Sequence, residues 1–170
     1  MTFTSAPTSS RSASSSGALT STRALLRTIL RVSTAALVLA GGLIHYRLWQ
    51  EQYKDLPAAV PGRWVTRTGF PINAASSLLI AMALIAIGFS LFGRLRPFVL
   101  LGAVVFELSS IAMLVTTRYR AVFDWIEKDD WGTGPKRAIV VESVAVLALL
   151  AVIVFDRDRT RGGRSGNDGR

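Results

Sequence analysis

Four polar residues interrupt the long apolar runs of this chain: His45, Asn73, Glu107 and Glu142. One imidazole and two carboxylates can bind a metal, carry protons, or act as acid and base in a water-poor pocket. Zinc and non-haem iron accept such ligands, but the three lie on separate segments without the Glu-x-x-His pair of di-iron bundles. The reading is therefore a candidate polar site with no metal. His45 is the only histidine, so a haem could find one axial imidazole in a single chain and never two. Cysteine is absent, which removes disulfides, thiolate nucleophiles and cysteine-held metals. There is no P-loop, nucleophile elbow or dinucleotide loop, and the tail's "GRSG" has no strand or helix pattern beside it. No catalytic set is apparent.

Spacing says where these groups point. Gly41 and Gly42 stand four and three residues before His45, and Ser76 and Ser77 follow Asn73 at the same offsets. Ala103 and Ser110 flank Glu107, as Ala138 and Ala145 flank Glu142. Each polar residue thus shares a helix face with small residues, which let neighbouring backbones approach closely. All four are expected to face the inside of a bundle. An ionised carboxylate in hydrocarbon costs several kcal/mol, so Glu107 must be paired, reached by water, or protonated. The plainer alternative is that both glutamates only bond across helix interfaces as packing.

The elements that position them are apolar helices. Uncharged or nearly uncharged runs cover about 24–46, 70–92, 97–117 and 138–155, and a hydrocarbon core of roughly 30 Å takes about 20 helical residues. Arg27 and Arg31, on the first segment's entry turns, can snorkel. The runs lack the alternation of barrel strands, so helices must satisfy the backbone. The fold expected is an all-α integral membrane four-helix bundle over 23–156. A Ser/Thr-rich tail (1–22) and a basic tail (157–170) are too polar to order themselves. Pro71 and Pro97 are expected on first helical turns. Segment 32–44 lacks a following small-x-small cleavage site, so it is read as a span rather than a leader.

Net charge is +9. The basic residues flank apolar runs or lie in tails, with no basic helix face, so lipid headgroups rather than nucleic acid are the expected partners. Arg23, Arg27, Arg31, the short "GRLR" linker and the arginines after 156 place both termini in the cytoplasm of a plasma-membrane protein. Loops 47–69 and 118–137 then face outward, although they hold four and five basic residues, together with six acids and all four tryptophans. "RYRAVFDWIEKDDWGTGPKR" reads as a belt-anchored loop or as a lid over the polar site. In an up-down order the first and fourth helices are neighbours. His45 and Glu142 should then meet near the outer surface as the centre of an outward-facing site, with Asn73 at the same depth. Glu107 falls some 10–15 Å deeper at about 1.5 Å per residue. Trp49 and Tyr53, one and two turns beyond His45, are placed to cover the site.

The stretch carrying Gly42, His45, Leu48, Trp49, Tyr53, Pro57, Phe70 and Asn73 resembles a family of small actinobacterial four-helix membrane proteins. There a Gly-x-x-His-x-x-Leu-Trp-x-x-x-Tyr run ends helix one. In size and layout the chain is also similar to DoxX-like proteins. The resemblance implies four helices and an outward His/Trp/Tyr/Asn corner; it implies no reaction.

Three functional readings follow, in order of preference. The first is a non-enzymatic accessory, interaction or small-ligand-binding protein, in contact with lipid and with another membrane protein or its own copies. The second is a small redox or lipid-active protein using a quinone-like or haem cofactor. The third is proton or solute transport through Glu107, against which stands the absence of inverted repeats.

Overall fold

A computed structural model describes residues 14–88, 93–127 and 132–162. Four α-helices account for most of them: α1 (Ser14–Leu48), α2 (Arg63–Gly88), α3 (Arg96–Tyr119) and α4 (Thr133–Gly162). Each is long and apolar enough to cross a membrane. Their outward faces suit that solvent, with Leu43, Leu79, Leu101 and Leu147 more than half exposed. Hydroxyls along the helices fold back onto their own carbonyls. Thr34 bonds to Leu30 O at 2.7 Å, Ser77 to Asn73 O at 2.9 Å and Thr117 to Met113 O at 2.9 Å. Such back-bonding satisfies a polar group where no water competes.

Every described helix outruns the apolar segment that marked it. α1 begins at Ser14, inside the stretch read as an unstructured tail, and α4 continues through Gly162, into the basic tail. Residues 1–13 and 163–170 of the two expected tails, and 89–92 of the second expected helix, lie outside the described residues. Apolar composition marks the hydrocarbon slab, whereas a helix propagates beyond it at little cost once nucleated. Pro97 does sit at the start of α3. Pro71 instead lies inside α2, which starts at Arg63, so the N–H that would bond the Arg67 carbonyl is missing mid-helix.

α1 packs most heavily on α2 and then α4, α3 packs on α4, and among these neighbouring pairs α2 and α3 touch least. The interior has three layers. Toward the end where α1 begins and α4 finishes (the tail end) an aliphatic core gathers Val38, Ala81, Leu84, Ala103, Val104, Ala145 and Leu149. Toward the opposite, loop end an aromatic-rich cluster gathers Leu48, Tyr53, Val65 and Trp125, with Phe70 and Met113 against it. His45, Ser77, Glu107, Ser110 and Glu142 are buried between the two.

At the tail end Asp156 of α4 takes Arg31 of α1 at 2.9 Å and is also paired with Arg96 of α3. Arg31 is thus held by a carboxylate rather than snorkelling alone. At the loop end α1 continues as a single π-helical turn, Trp49–Tyr53, closed by Lys54 N–H on Trp49 O at 2.9 Å.

Two glycines separate the packing roles in α1. A Cβ on Gly42 would stand 2.5 Å from Ser77 Cβ and 3.4 Å from the Ala74 backbone, so α2 crosses α1 there at backbone range. A Cβ on Gly41 would meet Glu142 Cγ at an ordinary 3.4 Å. Replacing glycine by alanine within a helix contributes about 1 kcal/mol of propensity, and overpacking costs about 1–3 kcal/mol. Gly42→Ala should therefore lower the thermal unfolding midpoint in detergent, while Gly41→Ala should leave it unchanged or raise it. Equal midpoints would show that the α1–α2 crossing is not tight.

Candidate functional site

The polar layer is a directed hydrogen-bond cluster built by four helices. His45 Nε2 of α1 lies 2.7 Å from Glu142 Oε1 of α4. Ser110 of α3 donates its hydroxyl to the same oxygen at 2.7 Å and stands 3.1 Å from His45 Nε2. Asn73 of α2 donates from Nδ2 to Ser110 Oγ at 2.9 Å. Since an ionised carboxylate only accepts, the directions are fixed when Glu142 is charged: imidazole N–H and serine O–H both point at Oε1, and the asparagine supports the serine. His45 is 3% exposed, Glu142 2% and Glu107 1%. Glu142 Oε2 and Glu107 Oε1 are buried with no hydrogen-bond partner.

His45 and Glu142 therefore meet, across the α1–α4 interface that an up-down order gives. Their depth differs from the expectation. His45 lies eight residues before the end of the π turn, Asn73 ten residues into α2, and Glu142 nine into α4. At 1.5 Å per residue that is about 12–15 Å from the loop end of each helix, well inside it. Glu107 stands one turn from Ser110 on α3, twelve residues from the loop end of that helix, so it is deeper by about 3–6 Å at the same rise rather than by 10–15 Å. The apolar runs were read as whole helices, and the helices extend beyond them.

Above the cluster lies a cavity of about 130 Å³ between α2 and α3, which touch less than the other neighbouring helix pairs. His45, Asn73 and Ser110 line its polar side; Leu48, Val65, Phe70 and Met113 line its apolar side. A Cβ on Gly69, also in the lining, would meet nothing within 4 Å, so the open wall there follows from the missing side chain. Phe70 packs on the imidazole at a centroid distance of 5.3 Å, Tyr53 stacks on Phe70 at 4.9 Å, and Trp125 meets Tyr53 edge-on at 6.0 Å.

Of the two expected covers, Tyr53 is buried in the cavity wall. Trp49 is not in the lining; it stacks near Tyr46 at 5.7 Å.

The second loop closes the loop end. Val122 and Trp125 exchange backbone bonds at 2.7 and 3.0 Å around Phe123 and Asp124, both at positive φ. This is the tight turn that suits a two-residue hairpin, made here by residues that rarely adopt it. Its tip rests on Gly62, itself at φ 67°, where a Cβ would lie 2.3 Å from Trp125 N. Glu127 N–H bonds to Thr117 O at 2.9 Å, and Tyr53 donates its hydroxyl to Glu127 Oε2 at 2.6 Å. Trp125 turns inward, while Phe123 stays exposed and pairs with exposed Trp64 at 5.4 Å. One loop thus supplies both a cover and one member of an outward aromatic pair.

Thr66, Gly69, Met113, Thr117 and Glu127 belong to the lining and were not singled out in the sequence. Ser110, read there as a small neighbour of Glu107, is the junction of the cluster. No periodicity distinguishes a serine that admits a backbone from one that donates to a carboxylate. Among the described residues no group of three His, Cys, Asp or Glu is arranged to hold a metal ion.

No family model, curated protein or solved structure matches this chain. The likeness to actinobacterial four-helix proteins thus rests on the residues quoted for it.

Removing one partner of a buried pair costs about 3–5 kcal/mol, whereas replacing both by apolar groups is often neutral. His45→Leu and Glu142→Leu should each lower stability by about that amount, and the double variant should recover most of it. Additive losses in a denaturation series would mean that the two side chains do not act as a pair.

Proposed function

We propose that this is a multi-pass plasma-membrane protein that binds a small membrane-borne molecule in the cleft between α2 and α3, without catalysing a reaction. The observation carrying this reading is the cavity itself, which is apolar on one side and has His45, Asn73 and Ser110 on the other. Pockets that bind small molecules combine apolar walls with a few fixed polar groups. At about 130 Å³ it is close to the engineered cavity of about 150 Å³ that takes benzene, so the ligand offers one ring or a short head group. Its polar atom would address the cluster, and the rest would leave between α2 and α3 toward lipid. Membership of the actinobacterial four-helix family belongs to the same proposal, since His45, Phe70 and Asn73 are shared by the family run and by the cavity.

Gly69→Leu fills the cavity from a position with free space and improves helix propensity, so it should fold. Native mass spectrometry and organic extraction of the wild-type protein should show one bound small molecule, absent from Gly69→Leu. A wild-type protein that carries nothing, or a molecule equally retained by the variant, would reject this site. A recovered quinone or haem would move the assignment to a redox role.

Arginine placement supports cytoplasmic termini. A single cysteine at Ser165, beyond the described residues, should resist an impermeant thiol reagent in intact cells. Labelling there would reverse the orientation.

A further inference from the structure

The polar cluster contains more acid than the cavity needs. The groups facing one another are His45 from α1, the uncharged Asn73 and Ser77 from α2, Glu107 and Ser110 from α3, and Glu142 from α4. Among the described residues, no lysine or arginine forms an ion pair with either carboxylate. Arg118 and Glu127, the remaining charged residues around the cavity, belong to its lining on the loop side. With every group ionised the cluster would hold two negative charges against one positive, at a cost of several kcal/mol in so dry a place. Two buried carboxylate oxygens, Glu107 Oε1 and Glu142 Oε2, lack any donor. Buried acceptors are ordinarily satisfied, and a proton held between the two carboxyls would serve them.

Access to this cluster is asymmetric. The cavity reaches His45 and Ser110 from the loop side. On the tail side stands the aliphatic core, from Val38 and Ala81 through Val104 to Leu149. The buried hydroxyl described there, Thr34, is committed to the Leu30 carbonyl. No chain of polar side chains crosses that layer among the described residues.

We infer that His45, Glu142 and Glu107 form a proton-binding site that loads and unloads only from the loop side of the bundle, through the cavity. In unloading, the O–H bond of the Glu107 carboxyl breaks as its proton passes to the Glu142 carboxylate. Once neutralised, Glu142 no longer holds the imidazolium charge, and His45 releases its other ring proton to water in the cavity while its Nε2–H stays on Glu142 Oε1 at 2.7 Å. One proton leaves and the cluster becomes more negative by one charge. The site thus serves the cavity as a local proton store, not as a conduit across the bundle. The inference shares the cavity with the binding proposal but needs no ligand in place.

Infrared spectroscopy of the purified wild-type protein at neutral pH, in H₂O and D₂O, tests the store. A carboxylic-acid C=O band should be present, should shift down in D₂O, and should be lost in Glu107→Gln. It should persist in Gly69→Leu with slower deuterium exchange. Absence of the band in the wild type, survival of the band in Glu107→Gln, or unchanged exchange in Gly69→Leu would each overturn the proposal. If Glu107→Gln does not fold, the wild-type band and the exchange rate of Gly69→Leu decide. One-sidedness is read in liposomes loaded with a pH-sensitive dye under a potassium diffusion potential. Proton flux should equal that of empty liposomes, and faster flux would overturn it. An acid band with no extractable molecule would sink the binding proposal alone, and a bound molecule with no acid band would sink this one alone.

Discussion

A carboxylate without water must be given its hydrogen-bond donors by the protein, and in this chain that requirement brings the helices together. Glu142 draws an imidazole from α1 and a hydroxyl from α3 onto one oxygen, and the hydroxyl is steadied by an amide from α2. Those distances need backbones that approach closely. Gly42 lets α2 cross α1 against Ser77, whereas at Gly41 even a methyl would meet the Glu142 stem at ordinary contact distance. In an apolar surround, where helix association gains little from the hydrophobic effect, such packing and bonding set the arrangement. The aliphatic layer below and the aromatic layer above are then fillers of different shape, the first close-packed and the second leaving a cavity.

Much of this arrangement could be read before any coordinates. The four apolar runs gave the helices, and the small residues spaced around His45 and Glu142 gave their inward direction. Up-down order gave the α1–α4 contact. What escaped had a common cause: runs of apolar residues report the solvent a segment meets, not where its hydrogen-bond ladder stops. The polar groups therefore seemed shallow, and Glu107 seemed remote from the others. The π turn that carries the buried Tyr53 was equally silent, since one surplus residue in a turn leaves no mark on hydrophobic spacing. A hairpin turning on Phe123 and Asp124 runs against the glycine and asparagine preference that would have announced it.

That hairpin shows how the loop end is held. Positive φ at two non-glycine residues carries a conformational cost, offset by a seated Trp125, a backbone bond to Thr117 and the Tyr53–Glu127 contact. Strain maintained by several independent contacts gives a defined cover. The exposed Phe123 lies on the second loop and the exposed Trp64 on the first turn of α2, next to Gly62, so the cover's outer face is aromatic where its inner face closes the cavity.

At the other end, Asp156 joins α4 to α1 through Arg31 and to α3 through Arg96, leaving α2 outside the clasp. The helix left out is also the one that forms a cavity wall and carries a proline in mid-course. Mechanically the bundle is a tripod with a fourth leg attached by its flank to α1. The close crossing of α2 on α1 at Gly42 and Ser77 is then the fulcrum about which a wider cleft would have to open.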